Sequence, residues 1–322
     1  MKRILILTSG GDAPGMNAAI RAVVRTASFF NIEVLACHNG FQGLIREEIF
    51  SMKAENVGGI IQRGGTILQS SRSKQFHQKK FRNKCRAFLK EQNIDGLIVI
   101  GGDGSFKGMA TLEQEGGPKS IGIPGTIDND IIGTEYTIGF DTARNTALNA
   151  IDHIRDTAFS NHYYFLVEVM GQKSGFLASD VGIAGGAEYI LTPEFPISIV
   201  RLAKKINKPS RHKESLIIVV AEAGKPGRSL QLAEQLKKRT PFAYRACILG
   251  HIQRGGTPTV LDRKLASEMG HLAVTALKNG ASKQMTAICN NQLCLVDLPK
   301  VRCGYRKLSN KKVLEISNIL AS

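Results

Sequence analysis

Tryptophan is absent from the 322 residues, and Phe and Tyr bring the aromatic share to only 6%. A base-stacking surface for nucleic acid needs interleaved aromatics, so that class loses its main signature. No apolar run reaches the ~18 residues of a membrane span, and no membrane partner is expected. The opening MKRILILTSGGD is too short in its apolar part for a secretory leader and reads as a first strand, which makes the cytoplasm the expected compartment. Six cysteines stand at 37, 85, 247, 289, 294 and 303, with no Cys-x-x-Cys and no zinc-like pairing with His. They read as buried free thiols in a reducing compartment.

Acidic residues are few. Lys and Arg number 43 against 27 Asp and Glu, a formal charge of +16. Such a balance suits polyanions or small phosphorylated ligands as well as a plain basic surface. The charge is local: Lys74–Lys90, Lys204–Lys213, Lys237–Arg239 and Lys300–Lys312. The first of these has the pattern of an amphipathic helix with Phe81, Cys85, Phe88 and Leu89 on its apolar side.

The chain alternates short apolar runs with helical ones. Strands are expected at Ile4–Leu7, Glu33–Ala36, Gly96–Ile100, Ser120–Ile123, Tyr164–Val169, Ser215–Ala221, Ala246–Leu249 and Met285–Ile288. Helices are expected at Asn17–Phe30, Lys79–Gln92, Asp141–Phe159, Ser229–Lys238 and Asp262–Asn279. Runs such as Leu-Ile-Ile-Val-Val suit strands buried on both faces, so the expectation is a doubly wound α/β protein with mainly parallel sheets. A second lobe could begin near Gly139.

Ligands in such folds bind past the carboxyl ends of strands. Three of these junctions stand out. Thr8-Ser9-Gly10-Gly11-Asp12-Ala13-Pro14-Gly15-Met16-Asn17 ends a strand and opens a helix, as an anion site does. Gly10 and Gly15 have Walker A spacing, but Met16-Asn17 replaces its Lys-Ser/Thr. Gly101-Gly102-Asp103-Gly104-Ser105, with Gly108, adds a carboxylate suited to Mg²⁺ beside phosphate. Pro124-Gly125-Thr126-Ile127-Asp128-Asn129-Asp130 offers two carboxylates, one of which could act as a general base. Singly, each loop could be an ordinary turn. Together they point to phosphoryl transfer from a nucleotide, with Mg²⁺, to a hydroxyl.

With Val-Glu-Val-Met-Gly and Gly-His-Ile-Gln-Arg-Gly-Gly in the same order, these motifs resemble the bacterial ATP-dependent 6-phosphofructokinases from residue 3 to about residue 295. The resemblance implies two doubly wound lobes with the active site in the cleft between them. Residues 1–139 with 252–302 would bind nucleotide, and 140–251 with 303–322 would bind the sugar phosphate. It implies ATP, Mg²⁺ and fructose 6-phosphate, a cytoplasmic glycolytic enzyme and a homotetramer.

It also implies residue roles. Gly11 offers its N–H to the transferring phosphate, and Arg72 spans both phosphates. Ser73, Gly102, Asp103, Gly104, Ser105 and Gly108 line the nucleotide, Asp103 holding the metal. Asp128 is the base, with Thr126 and Asp130 beside it. Met170, Gly171, Glu222, His251 and Arg254 hold the sugar phosphate, and Arg245 completes that pocket from a neighbouring subunit. Arg21, Arg25, Arg155, Glu188 and Lys213 retain part of an effector set, and could equally be ordinary surface charge.

Tyr163, Gln172, His77 and Ala54 stand where the resembled family carries Arg. Losing the Arg at Tyr163 should weaken sugar-phosphate binding by roughly 10–100-fold unless something replaces it. Placed on a strand, His162 would point to the opposite face and be a poor substitute. A weakly active or non-catalytic paralogue, or a kinase for another phosphorylated sugar, is therefore an alternative reading. Pyrophosphate is an alternative donor; in the resembled family donor choice tracks two positions, and the small Gly104 and Gly125 found there imply ATP. A nucleic-acid binder rests on charge alone.

Overall fold

The computed structural model describes residues 1–208, 213–298, 305–309 and 312–320. Cys303 and most of the Lys300–Lys312 cluster lie outside them, as do residues 209–212 of the Lys204–Lys213 cluster. The chain divides into two compact units, Met1–Ile127 with Ile131–Thr142 and Arg254–Gly304, and Asp128–Asp130 with Ala143–Gln253 and Tyr305–Ser322.

The first unit holds a seven-stranded sheet built from β1 (Arg3–Ser9), β2 (Glu33–Cys37), β3 (Ile49–Ser51), β4 (Gly96–Gly101), β5 (Lys119–Pro124), β10 (Gln284–Cys289) and β11 (Gln292–Asp297). Their order is β11-β10-β5-β4-β1-β2-β3. Only the edge strands β3 and β11 pair antiparallel. Ile4 to Leu7 and Ile98 to Ile100 are fully buried, which is why these runs lack polar alternation. Helices α1 (Met16–Phe29), α2 (Gly40–Ile45), α3 (Lys79–Glu91) and α4 (Asp103–Gln114) belong to this unit, as does α9 (Val260–Lys278). A Cβ on Gly270 would stand 2.7 Å from the Ala22 Cβ, so α1 and α9 approach closely through small residues. On α3 the expected apolar face is present: Cys85 and Leu89 are buried, and Phe81 and Phe88 pack on the same core.

The second unit has a wholly parallel sheet of β6 (Tyr164–Val169), β7 (Tyr189–Leu191), β8 (Leu216–Ala221) and β9 (Tyr244–Ile248), ordered β7-β8-β6-β9. Around it run most of α5 (Phe140–Asn161), then α6 (Phe176–Ala184), α7 (Ile199–Ile206), α8 (Arg228–Lys237) and α10 (Lys312–Leu320). Its core gathers Tyr164, Leu166, Tyr189, Ile218, Val220 and Tyr244.

Two expectations need correction. Tyr163 precedes β6, and His162 occupies a left-handed turn at φ 54° after α5, so strand alternation does not separate them. Among the described residues Cys247, Cys289 and Cys294 are half-buried, and only Cys37 and Cys85 are fully enclosed. Burial pushes the Cys37 and Cys85 thiols up to about 12. Among the described residues no helix is long and apolar enough to cross a membrane.

Candidate active site

In the first unit the Gly-rich loop after β1 is braced from two sides. Gly10 and Gly15 adopt φ of 97° and 102°, which L side chains rarely take, and Gly15 precedes α1. A Cβ on Gly11 would lie 2.5 Å from the Arg254 Nη1, so the backbone here meets the guanidinium directly. Arg254 also faces the Asp12 carboxylate at 3.9 Å. Buried Asn17 donates through Nδ2 to the Arg63 and Gly64 carbonyls, both at 3.1 Å, and accepts from Ile67 N–H at 2.8 Å. Thr8 donates to the Gln69 carbonyl at 2.6 Å, and Ser70 to the Gly10 carbonyl at 2.8 Å. These bonds dock residues 63–71 against the loop and present Arg72, which is exposed, at its edge. The Ser73 hydroxyl donates to Gln42 Oε1 at 2.7 Å and accepts from Phe76 N–H.

The second loop is joined to the first. Ser105, buried in the first turn of α4, donates to the Ser9 carbonyl at 3.0 Å. Any Cβ on Gly101 would stand 2.4 Å from that same carbonyl, so glycine is required. Gly108 approaches the stacked rings of Phe41 and Phe76, whose centroids are 4.1 Å apart. Cβ positions at Gly102 and Gly104 meet nothing within 4 Å. Asp103 begins α4, where a helix N-terminus favours negative charge, and its carboxylate meets Lys107 at 2.5 Å.

The third loop leaves β5. Gly125 N–H donates to the Gly101 carbonyl at 3.0 Å, tying it to the second loop. Thr126 N–H donates to the Ile138 carbonyl at 3.0 Å, and the Thr126 carbonyl accepts from Thr137 at 2.7 Å. A Cβ on Gly125 would come within 3.0 Å of Met16 and 3.1 Å of Ile100.

The second unit holds the two carboxylates. Asp128 and Asp130 are 4% and 5% exposed, on either side of Asn129 at φ 49°. Ser174 Oγ lies 3.0 Å from the Asp128 carbonyl, and Arg306 N–H donates to the Asp130 carbonyl at 2.7 Å. In the loop after β6, Gly171 and Gln172 have φ of 130° and 47°. Gln172 N–H donates to Glu222 Oε1 at 3.0 Å, and Met170 N–H to Gln253 Oε1 at 3.4 Å. Gln253, fully buried, donates in turn to the Gly250 carbonyl at 3.0 Å. His251 is exposed beside it. Arg245 is exposed on β9, and its guanidinium lies 4.6 Å from the centre of the Tyr163 ring.

Of the expected effector set, Arg21 and Arg25 lie four residues apart on α1 in the first unit. In the second unit Lys213 pairs with Glu188 at 3.2 Å, and Arg155 donates to the Gly185 and Gly186 carbonyls at 2.5 and 3.0 Å. Asn17, Ser174 and Gln253 were not singled out by sequence. Asn17 and Gln253 sit within the quoted motifs, but only the fold shows what they hold.

A single carboxylate at a helix N-terminus fits Mg²⁺, which keeps several waters and takes phosphate oxygens. Among the described residues no cluster of three or more His, Cys, Asp or Glu side chains forms an all-protein cage.

The phosphofructokinase family model matches residues 3–277. The chain is 53% identical, over all of its length and 99% of the relative's, to the "ATP-dependent 6-phosphofructokinase" of Coxiella burnetii. It is 49% identical, over the whole of both chains, to "ATP-dependent 6-phosphofructokinase 1" of Thermus thermophilus. Among solved structures, the phosphofructokinase from Saccharomyces cerevisiae aligns at a TM-score of 0.87 with 33% identity, over 94% of this chain and 45% of the yeast chain. The pyrophosphate-dependent phosphofructokinase from Marinobacter aquaeolei, at 24% identity, a TM-score of 0.84 and coverage of 96% and 86%, shares the fold. Sequence motifs, fold and relatives agree: this chain belongs to the phosphofructokinase family.

Proposed function

We propose that the chain transfers the γ-phosphoryl group of ATP to the 1-hydroxyl of fructose 6-phosphate, giving fructose 1,6-bisphosphate and ADP, as a phosphotransferase of glycolysis. The observation that carries this reading is the Ser105–Ser9 bond with its glycine at 101. It fuses two Gly-rich strand ends into one backbone-lined cradle for phosphate. Relatives matched over their whole length bear the names of ATP-dependent 6-phosphofructokinases.

The first unit is assigned to the nucleotide. Gly11 N–H and Arg72 meet the transferring phosphate, and Gly102, Gly104 and Gly108 leave room along the donor. Ser105 acts by joining the loops, and Ser73 by anchoring the segment that bears Arg72. Asp103 would hold Mg²⁺, with Lys107 yielding it. When bound, that ion supplies charge neutralisation on the phosphates.

The second unit is assigned to the sugar phosphate. Met170, Gly171, Glu222 and His251 are assigned to binding it, and so is Arg254, which belongs to the first unit. Asp128 takes the proton of the 1-hydroxyl as its oxygen bonds to phosphorus and the bond to the ADP oxygen breaks. Thr126 and Asp130 orient the hydroxyl. Positioning and charge neutralisation supply most of the rate. Arg245 serves the pocket of a neighbouring copy, which requires an oligomer, and the enzyme is assigned as a homotetramer by its resemblance to the family. Arg21 and Arg25 in the first unit, and Arg155, Glu188 and Lys213 in the second, are assigned to effector binding. Five free thiols among the described residues suit a reducing cytoplasm.

One panel tests the assignment: Mg²⁺ with ATP or pyrophosphate, and several sugar phosphates, followed by donor consumption. Turnover of ATP with fructose 6-phosphate is expected, and faster turnover of pyrophosphate would overturn the donor.

A further inference from the structure

Residues 305–309 lie beyond the stretch matched by the family model, yet they bond to the turn that carries the two carboxylates. Arg306 N–H donates to the Asp130 carbonyl at 2.7 Å. Two residues on, Leu308 N–H donates to Glu194 Oε1 at 3.2 Å, and the Leu308 side chain is buried. That same oxygen accepts from Gly175 N–H at 2.9 Å. Next to Gly175, the Ser174 hydroxyl sits 3.0 Å from the Asp128 carbonyl.

The contacts therefore close a ring: Asp130, Arg306, Leu308, Glu194, Gly175, Ser174, Asp128. Two side-chain contacts reinforce it. The Arg306 guanidinium lies 4.7 Å from the Phe176 ring centre, and the Lys173 ammonium 5.5 Å from that of Tyr305. The ring is tight at Gly175, where a Cβ would stand 2.6 Å from Thr192 and 2.7 Å from Glu194 Oε2.

We propose that Glu194 is a positioning residue for the acceptor side of the reaction. Through its two backbone bonds it locks the C-terminal segment 305–308 and the loop 171–176 around the Asp128–Asp130 turn. This rests on the reading that Asp128 is the base. Glu194 touches no reacting atom; it fixes where the carboxylates stand. A displacement of about 1 Å at a reacting group costs up to about 100-fold in rate, so a few backbone bonds are enough to matter.

The test compares Glu194→Ala, Glu194→Gln and Arg306→Ala in the full-length protein, by kinetics and by amide hydrogen exchange. Glu194→Ala should lower kcat by about 10–100-fold, leave the KM for ATP within about twofold, and speed exchange at residues 171–176 and 305–308. Glu194→Gln keeps a carbonyl oxygen for both N–H groups and should recover to within about fivefold of wild type. Arg306→Ala removes the guanidinium from the Phe176 ring and should speed exchange at residues 305–308 and 171–176; it carries the test should Glu194→Ala not fold, because unchanged protection there overturns the ring. A kcat for Glu194→Ala within about twofold of wild type, or a Gln variant as impaired as Ala, overturns the proposal. If the wild type phosphorylates no sugar phosphate, the functional reading fails instead. Hydrogen exchange then decides the ring alone, and unchanged protection in Glu194→Ala refutes it.

Discussion

Tyr163 invites the sharpest experiment, because the structure sets its ring against Arg245. Its ring lies 4.6 Å from the Arg245 guanidinium, and the Phe165 ring is edge-on to it at 6.3 Å. Phe165 and Arg245 are register partners on β6 and β9, so the three side chains are held together by the sheet. A cation over an exposed ring gains about 0.5–1 kcal/mol, which holds a long side chain ready for a phosphate. Tyr163→Ala should therefore raise the KM for fructose 6-phosphate by about 2–5-fold, and Tyr163→Phe should leave it nearly unchanged.

Restoring an Arg gives less than a charged phosphate bond alone implies. Such a bond contributes about 1.5–3 kcal/mol. Against it stand the lost ring contact and a repulsion of about 0.9 kcal/mol between two unit charges 4.6 Å apart in a water-like medium. Tyr163→Arg should accordingly lower KM by less than about 15-fold, not the roughly 10–100-fold read from the missing arginine alone. The assay is steady-state kinetics on a double-mutant cycle of Tyr163→Ala and Arg245→Ala. A coupling below about 0.3 kcal/mol would show that the ring does not support Arg245, and the reasoning fails.

Asp128→Ser should cut kcat by about 10²–10⁴-fold with modest change in substrate binding, and turnover within about tenfold of wild type removes it from the mechanism. For donor choice, Gly104→Lys is the cleaner probe, since its Cβ meets nothing within 4 Å, whereas Gly125→Lys would also press on Met16 and Ile100 and lower stability. Gly104→Lys should depress ATP use with the melting temperature unchanged; ATP turnover equal to wild type refutes the donor assignment. Arg82 forks onto Glu115 through bonds of 2.9 and 2.7 Å, and its guanidinium holds the Glu115 carboxyl below its ordinary value. That stabilisation is present above the ordinary carboxylate pKa of 4.5 and is lost as pH falls through the lowered value. Thermal melts of Arg82→Met should show a deficit at pH 7 that closes in acid, and a deficit independent of pH refutes the pairing. Cys37 and Cys85, pushed up to about 12, should resist alkylation at pH 8 until the protein unfolds, which mass spectrometry of labelled peptides can check.

The strand ends were legible because glycine and aspartate punctuate apolar runs, and those runs are buried on both faces. Less legible were elements whose signal is short or unpatterned. α4 starts at Asp103, but Gly104 and Gly108 weaken its helical signature. α6 has Leu177, Ala178, Ser179, Val181 and Gly182 all buried, so it shows no polar stripe. β3 and β7 span three residues each, too few for periodicity. Within the site, glycines and carboxylates announced themselves, whereas Asn17, Gln253 and Glu194 act on backbone groups far along the chain. Such partners appear only when the fold brings them together. Tyr163 was legible as an unusual residue, but its stacking on Arg245 depends on the register of β6 with β9.

The division of the chain has a consequence for how this enzyme can change. Boundaries fall at 127/128, 130/131, 142/143, 253/254 and 304/305, so each compact unit is stitched from three separate segments. The turn bearing Asp128 and Asp130 is cut from its own unit by a dozen residues of the other. A fragment of residues 143–253 would contain Met170, Glu222, Arg245 and His251 but neither carboxylate. One genetic crossover therefore cannot exchange the donor side for that of another kinase and keep the acceptor side whole. New specificity in this architecture must come by substitutions in place, as at Tyr163 and Gln172, rather than by shuffling modules.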